Sequence, residues 1–326
     1  MRGLACLLLV AYHVRGGDPG SGLQLPTDNP WSAVVDAADY LRMPLFSFLS
    51  GWVYATRPLS SGSWSFVRVK ARRLLVPLLV VGTLFGVVQL LVGAGDGLPP
   101  WYAWHLVPLA HFWFLESIFW VAVTVALLDR WGVLRRPQVL VGLVLVALVV
   151  GPSVAVPHNL LGLQTATFLL PFYLAGVGAL RFEVRSTGPR FRVLLVAVTV
   201  VLVGRAAAGL LGELPRLPSQ SSAVASLLGV CLCLCLVLTK VTVRPLVVLG
   251  AFSFTVYTCH VFGTAASRML LDAAGVQSVS LQMVAGIVAG LTVGVGAELV
   301  ARRHAWTGAL VLGRRWPRRP AASPQA

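Results

Sequence analysis

Charge is scarce in this 326-residue chain. Asp, Glu, Lys and Arg together make 11% of it, while 57% is hydrophobic and the mean hydropathy is +0.83. A soluble domain of this length needs far more polar surface to cover its core, so a soluble globular protein is excluded. A disulfide framework is also missing. Of the five cysteines, Cys231, Cys233 and Cys235 stand at steps of two inside one apolar run, which turns them to different faces of a helix. They read as small apolar packers. The apolar stretch after Arg2 is broken by Tyr12 and His13 and lacks a small-residue cleavage site, so it is expected to stay in the mature protein. No repeat of 20–50 residues and no charge-rich linker occurs.

Long apolar runs are what the chain has instead: 74–93, 112–128, 139–156, 193–211, 223–238 and 281–300. About 20 helical residues cross a hydrocarbon layer of roughly 30 Å. Read in order, the pattern predicts an all-α, polytopic transmembrane bundle of about ten spans. These lie near 1–13, 41–56, 74–95, 111–128, 138–156, 165–180, 193–211, 222–239, 246–267 and 280–300. The net charge of +15 is informative by position rather than by sum. With the connections taken alternately, one side receives 21 of the 26 basic residues. The remaining five are Arg15, Arg42, Arg205, Arg216 and Arg268, and the acidic 14–40 segment falls on the other side. The positive-inside rule then places both termini in the cytoplasm. The basic excess is topological, with anionic membrane lipid as its expected contact, and nucleic acid is not an expected partner. Residues 1–300 form one transmembrane domain in this reading, and 301–326 a disordered basic tail. Gly286, Gly290 and Gly294 recur every four residues, a spacing that admits a closely packed helix, expected within this chain.

A charge at the bilayer centre costs about 2.5–3.5 kcal/mol, so a polar residue at depth needs a partner or a task. Four places qualify. Arg2 and His13 are eleven residues apart, within about 20° of three full turns, so they share one helix face about 16 Å apart. They suit an anionic ligand entering past the Arg, and equally an interfacial anchor and an outer cap. Arg68, Lys70, Arg72 and Arg73 precede the third span in what reads as a loop. They could clamp phosphates or only set topology. His111, Trp113 and Glu116 open the fourth span behind Trp101, Tyr102, Trp104 and His105. The aromatics are ordinary at an interface, but Glu116 lies a turn inside. Ser253, Tyr257 and His260 follow at i, i+4 and i+7, a hydrogen-bonding ladder that could do no more than join helices. Cys259 and His260 face apart and make a poor nucleophile–base pair. No metal site is expected.

These places occur together, and in the order found in the acyltransferase 3 family of membrane acyltransferases. The segment Arg2-Gly3-Leu4-Ala5 through Tyr12-His13 resembles that family's opening helix. Pro44 to Trp52 is similar to its second-helix F-F-x-x-S-G-F/W segment. The stretch ending in Arg73-Leu74-Leu75-Val76-Pro77 resembles its K-x-x-R-L-x-x-P motif. His111 to Leu115 looks like H-x-W-F-L, and Ser253 to His260 like S-x-x-x-Y-x-x-H. Two departures stand out: the family places an Asp just ahead of the first Arg, where this chain has Met1, and it fixes no acid at the position of Glu116.

The resemblance implies transfer of an acyl group, commonly acetyl, from a cytoplasmic acyl-CoA (acetyl-CoA above all) to a hydroxyl of a glycan, glycolipid or other small acceptor, by a multi-pass protein of the inner membrane. The acyl-CoA is then a substrate, and no bound cofactor is expected. His13 would act as general base or as a covalent acyl shuttle. Arg2, Lys70, Arg72 and Arg73 would hold the CoA phosphates. His111, Trp113, Ser253, Tyr257 and His260 would contact the acceptor or orient the base. Two other classes fit the same composition, a transporter or lipid flippase and a non-catalytic membrane subunit. Transport folds show paired halves with broken helices, and no such pairing is visible here.

Overall fold

Proline and capping chemistry set many of the helix starts. Pro30, Pro137, Pro189 and Pro245 stand in first turns, where their missing N–H costs nothing. The Asn29, Ser222 and Ser278 side chains accept from backbone N–H groups of the helices that follow them. A computed structural model describes residues 1–16, 22–56, 63–95, 97–213, 222–239 and 241–316. Among these there is no strand, and the α-helices are α1 (Arg2–Arg15), α2 (Pro30–Ala55), α3 (Ser63–Leu91), α4 (Trp113–Arg130), α5 (Pro137–Val150) and α6 (Leu163–Arg181). They continue with α7 (Pro189–Leu210), α8 (Ala223–Leu238), α9 (Arg244–Ala251), α10 (Ser253–Ala273), α11 (Val279–Arg303) and α12 (Ala305–Leu312).

The all-helical class and the membrane-crossing composition agree with the sequence. Among the described residues five helices, α3, α4, α6, α7 and α11, are long and apolar enough to cross a membrane. A sixth crossing results if α9 and α10, bent by 87° at Phe252, are taken as one. The expected straight span over 246–267 is therefore two helices. The shortfall from ten has physical causes. α1 has 14 residues, about 21 Å at 1.5 Å each. α2 is long but carries Asp36, Asp39 and Arg42, and α5 and α8 are short. The basic stretch before Leu74 is not a loop but the first turns of α3. Of the expected tail 301–326, residues 301–303 end α11, residues 305–312 form α12, and 317–326 lie outside the described residues.

α1 is the buried axis of the site. Ala5, Cys6 and Val10 are fully buried, and α1 packs on α2, α9, α10 and α11. It runs alongside α10 in one direction and one register. Cys6 lies against the Ser253 carbonyl, and seven residues further on along each helix His13 lies against His260. The glycine stripe of α11 lets that helix pack closely onto both α1 and α10. A Cβ on Gly286 would meet Val14 at 2.8 Å, one on Gly290 would meet Val10 and Thr264 at 2.8 Å, and one on Gly294 would meet the Val256 backbone at 2.5 Å. The stripe thus packs within the chain.

One end of the bundle is tied by a fork-shaped ion pair. Arg181 donates through Nη1 and Nη2 to the two Asp129 oxygens at 2.6 Å each, and the Tyr54 hydroxyl donates to Asp129 at 2.8 Å. The contact joins α2, α4 and α6 beside the residues described next.

Candidate active site

A cavity of about 900 Å³ opens at this end. Arg2, Lys70, Arg73, Arg314 and Arg315 line it, with Glu298 as an acidic group among them. Arg2 is exposed at the mouth, at the first turn of α1. Glu298 is already engaged: Arg302 donates to one of its oxygens at 2.5 Å and the Thr255 hydroxyl to the other at 2.9 Å. The walls are apolar further in, with Phe46, Leu115, Ile118 and Phe114, and the polar groups there are Ser50, Ser253 and Tyr257. Cations at the mouth with an apolar interior suit a ligand whose one end is polyanionic and whose other end is not.

Behind Tyr257 three histidines meet, His13 of α1, His260 of α10 and His111 of the turn that leads into α4. The ring centroids of His13 and His260 are 4.9 Å apart, those of His111 and His260 5.1 Å, and those of His13 and His111 5.7 Å. None of the three lines the cavity. Tyr257 stands between, its ring 5.7 Å from that of His111 and its hydroxyl donating to the His111 carbonyl. Arg2 lines the cavity and His13 lies behind it, so the two share a helix face, as their spacing predicts, but not one open channel.

Local structure fixes each imidazole. Ala110 has φ of 44°, a left-handed backbone that costs a non-glycine residue roughly 1 kcal/mol. It turns the chain so that His111 and Phe112 enter the core ahead of α4, 4% and 0% exposed. Conformations of this kind gather at functional sites. The His260 Nδ1 atom faces the Val256 and Tyr257 carbonyls at 2.8 and 2.9 Å. Carbonyls only accept, so Nδ1 carries the proton and Nε2 is left with its lone pair. That Nε2 is buried and makes no hydrogen bond among the described residues. His111 faces the backbone of Thr258 without a well-formed hydrogen bond. His13 alone of the three is partly exposed. The His111 ring meets the other two edge to face, the His13 and His260 rings are tilted at 51° to each other, and among the described residues no group of three or more His, Cys, Asp or Glu has an arrangement that could hold a metal.

Two groups were missed by reading along the chain. Arg42 of α2 is 6% exposed, with its guanidinium carbon 3.4 Å from the centre of the Tyr12 ring and Nη2 3.2 Å from Asp39. Its charge acts on both His13 and His260. A lone Arg in an apolar stretch was the available signal. Arg314 and Arg315 were missed because nothing in a basic tail says where it returns. Glu116, noticed in the sequence, is 3% exposed and its carboxylate oxygens have no hydrogen-bond partner among the described residues.

The other expected site residues divide. Lys70, Arg73, Ser253 and Tyr257 line the cavity, whereas Arg72 lies outside it with Nε donating to the Gly313 carbonyl at 3.0 Å. Trp113 is half-buried and pairs with the ring of its neighbour Phe114.

No curated protein and no solved structure matches the chain. A family model described as an acyltransferase domain matches residues 1–299. That match runs from the first helix into the last turns of α11 and takes in every histidine of the cluster, so the chain belongs to the acyltransferase 3 family and is a multi-pass membrane acyltransferase, a transferase of groups other than amino-acyl groups.

Proposed function

We propose that the chain transfers an acyl group, acetyl above all, from acyl-CoA held at the basic end to a hydroxyl of a carbohydrate or glycolipid acceptor. In this reading the basic end and both termini face the cytoplasm of a cell whose inner membrane the bundle crosses. Counting α1, α2, α5 and α8 as short or polar crossings brings the spans to ten. The observation that supports the reading best is a cation-rimmed cavity whose far wall, Tyr257, backs onto three clustered imidazoles.

Arg2, Lys70 and Arg73 hold the donor's phosphate oxygens by charge-assisted hydrogen bonds. The pantetheine arm runs inward along Phe46 and Phe114, bringing the thioester to Tyr257 and Ser253. His13, which lies behind Tyr257 and outside the cavity, takes the proton of the acceptor hydroxyl once the Tyr257 ring turns aside, as that oxygen attacks the thioester carbonyl. The carbon–sulfur bond breaks, and the departing thiolate collects the proton to leave as free CoA. His260 Nε2, an acceptor with no partner among the described residues and on a ring 4.9 Å from that of His13, takes the N–H of His13 in the reacting state and so keeps the lone pair of its other nitrogen toward the reacting atoms. His111 supports the same ring, and Trp113 stands as an acceptor-side contact at the head of α4. In the second form of the mechanism a His13 nitrogen attacks the thioester carbonyl, the carbon–sulfur bond breaks and the imidazole N–H proton leaves with the thiolate as free CoA; the acceptor hydroxyl then takes the acyl group from His13 and its proton returns to the imidazole.

The test is to incubate purified protein in lipid with acetyl-CoA labelled in the acetyl group. Label on an added or co-purified glycan or lipid supports the transferase. Flux of a solute or lipid that does not depend on CoA would make it a transporter, and neither outcome would leave a non-catalytic subunit. Mass spectrometry after acid quenching separates the two forms, since only the shuttle leaves an acyl group on His13.

A further inference from the structure

The cations of α3 do not all belong to the cavity. At 100° per residue, Lys70 and Arg73 share one face, whereas Trp64, Arg68 and Arg72, at steps of four, share another. This second face forms a separate groove of about 430 Å³, lined by Trp64, Arg68, Arg72, Arg315 and Trp316. Ser65, Val69 and Arg315 line both volumes, so the groove continues the cavity outward from its cationic mouth.

The opposite wall is an arm that follows α12, beyond the residues matched by the family. Gly313 docks the arm on α3. Its φ is +58°, and a Cβ there would meet the Arg73 Cα at 2.5 Å. Arg72 Nε binds its carbonyl, and the Arg314 N–H closes the turn onto the Gly308 carbonyl at 3.1 Å. The arm so fixed sets Trp316, 60% exposed, and Arg315 across the groove from Trp64, 70% exposed. The Arg68 guanidinium stands 6.0 Å from the Trp64 ring. Two exposed indoles with arginines between them offer a stacking surface and anion donors together, the combination that recognises a nucleotide.

We propose that this groove binds the nucleotide end of the donor, with the adenine against Trp64 and Trp316 and the ribose 3′-phosphate against Arg68 and Arg315. Arg72 is a positioning residue that holds the arm. The inference rests on acyl-CoA being the donor, and the geometry favours it over a lipid headgroup because the groove opens into the cavity proposed for the acyl end.

The experiment compares two donors, acetyl-CoA and acetylpantetheine, which lacks the nucleotide, using full-length protein in nanodiscs of neutral lipid. Adenosine 3′,5′-bisphosphate should compete with acetyl-CoA and not with acetylpantetheine. Trp64→Ala, Arg68→Gln and Gly313→Val should each lower the ratio of kcat/KM for acetyl-CoA to that for acetylpantetheine by about tenfold, the loss of one stacking or phosphate contact. A ratio held at the wild-type value in all three would overturn the proposal. So would variants that keep the ratio but bind phosphatidylglycerol vesicles more weakly, which would make the groove a lipid-headgroup site. If the wild type uses neither donor, the acyl-CoA reading itself fails. If it uses both and the ratio is indifferent to the variants, only the nucleotide groove fails.

Discussion

The basic end and the histidine cluster are both polar, but they are polar in opposite ways. Arg2, Arg314 and Arg315 are exposed around a cavity, so their charges keep much of their hydration and cost the fold little. His111, His260, Arg42 and Glu116 are 0–6% exposed, and among the described residues His260 Nε2, Arg42 Nε and Nη1 and both Glu116 oxygens lack a hydrogen-bond partner. Burying such groups costs about 1–3 kcal/mol each. The first region can be altered piecemeal with graded losses of binding. The second is a set of groups that the fold holds at a cost, and its members should fail together.

The sharpest break in that comparison is His13→Ala. It removes the imidazole that both forms of the mechanism use, and the expected loss in kcat is about 10²- to 10⁴-fold, the range for a general base. Size-exclusion profile and melting temperature should stay near wild type, since the substitution deletes a ring without adding a buried charge. Near-normal turnover would remove His13 from both forms of the mechanism. At the other region, Lys70→Gln with Arg73→Gln should raise the KM for acetyl-CoA by about ten- to a hundredfold with a smaller change in kcat, as two charge-assisted contacts are lost. An unchanged KM would leave these residues as determinants of topology alone.

Much of this was legible in the sequence, and the reason is periodicity. The shared face of Arg2 and His13, the alignment of Ser253, Tyr257 and His260, and the close packing of the Gly286, Gly290 and Gly294 stripe all follow from the helical repeat. What periodicity cannot convey is the meeting of helices distant in the chain. That His111 completes a cluster with His13 and His260 depends on the Ala110 turn and on the parallel register of α1 and α10. The break at Phe252 is hidden because no proline marks it between the apolar residues 246–252 and the Ser253 helix that follows. The basic stretch of α3 passed for a loop because its charges, which break the apolar run, do not break the helix. The return of the arm at Gly313 depends on a single glycine contact with the Arg72–Arg73 backbone.

Asp129→Asn addresses what holds the two regions in register. Asp129 accepts both Arg181 nitrogens and the Tyr54 hydroxyl, and Tyr54 is itself a cavity residue. Asparagine keeps the shape but loses the charge and one acceptor. A loss of about 1–3 kcal/mol is expected, visible as a melting temperature lower by several degrees, with at most a few-fold rise in donor KM. A melting curve identical to wild type would show that the three helices are joined by packing alone.

The smallest expected effect lies at the boundary between the regions. Tyr257→Phe keeps the ring that separates cavity from cluster but deletes the hydroxyl that donates to the His111 carbonyl. One neutral hydrogen bond contributes about 0.5–1.5 kcal/mol, so kcat should fall by roughly two- to tenfold, and donor KM should hardly move because the phosphates bind elsewhere. Tyr257→Ala is the control. If the ring only separates the two compartments, alanine should open the cavity onto the histidines and raise hydrolysis of acetyl-CoA by water relative to transfer. If the hydroxyl instead positions His111 for the reaction, phenylalanine and alanine should lose transfer alike, with no gain in hydrolysis. The ratio of hydrolysis to transfer in the two variants therefore decides whether Tyr257 acts as a wall or as part of the cluster.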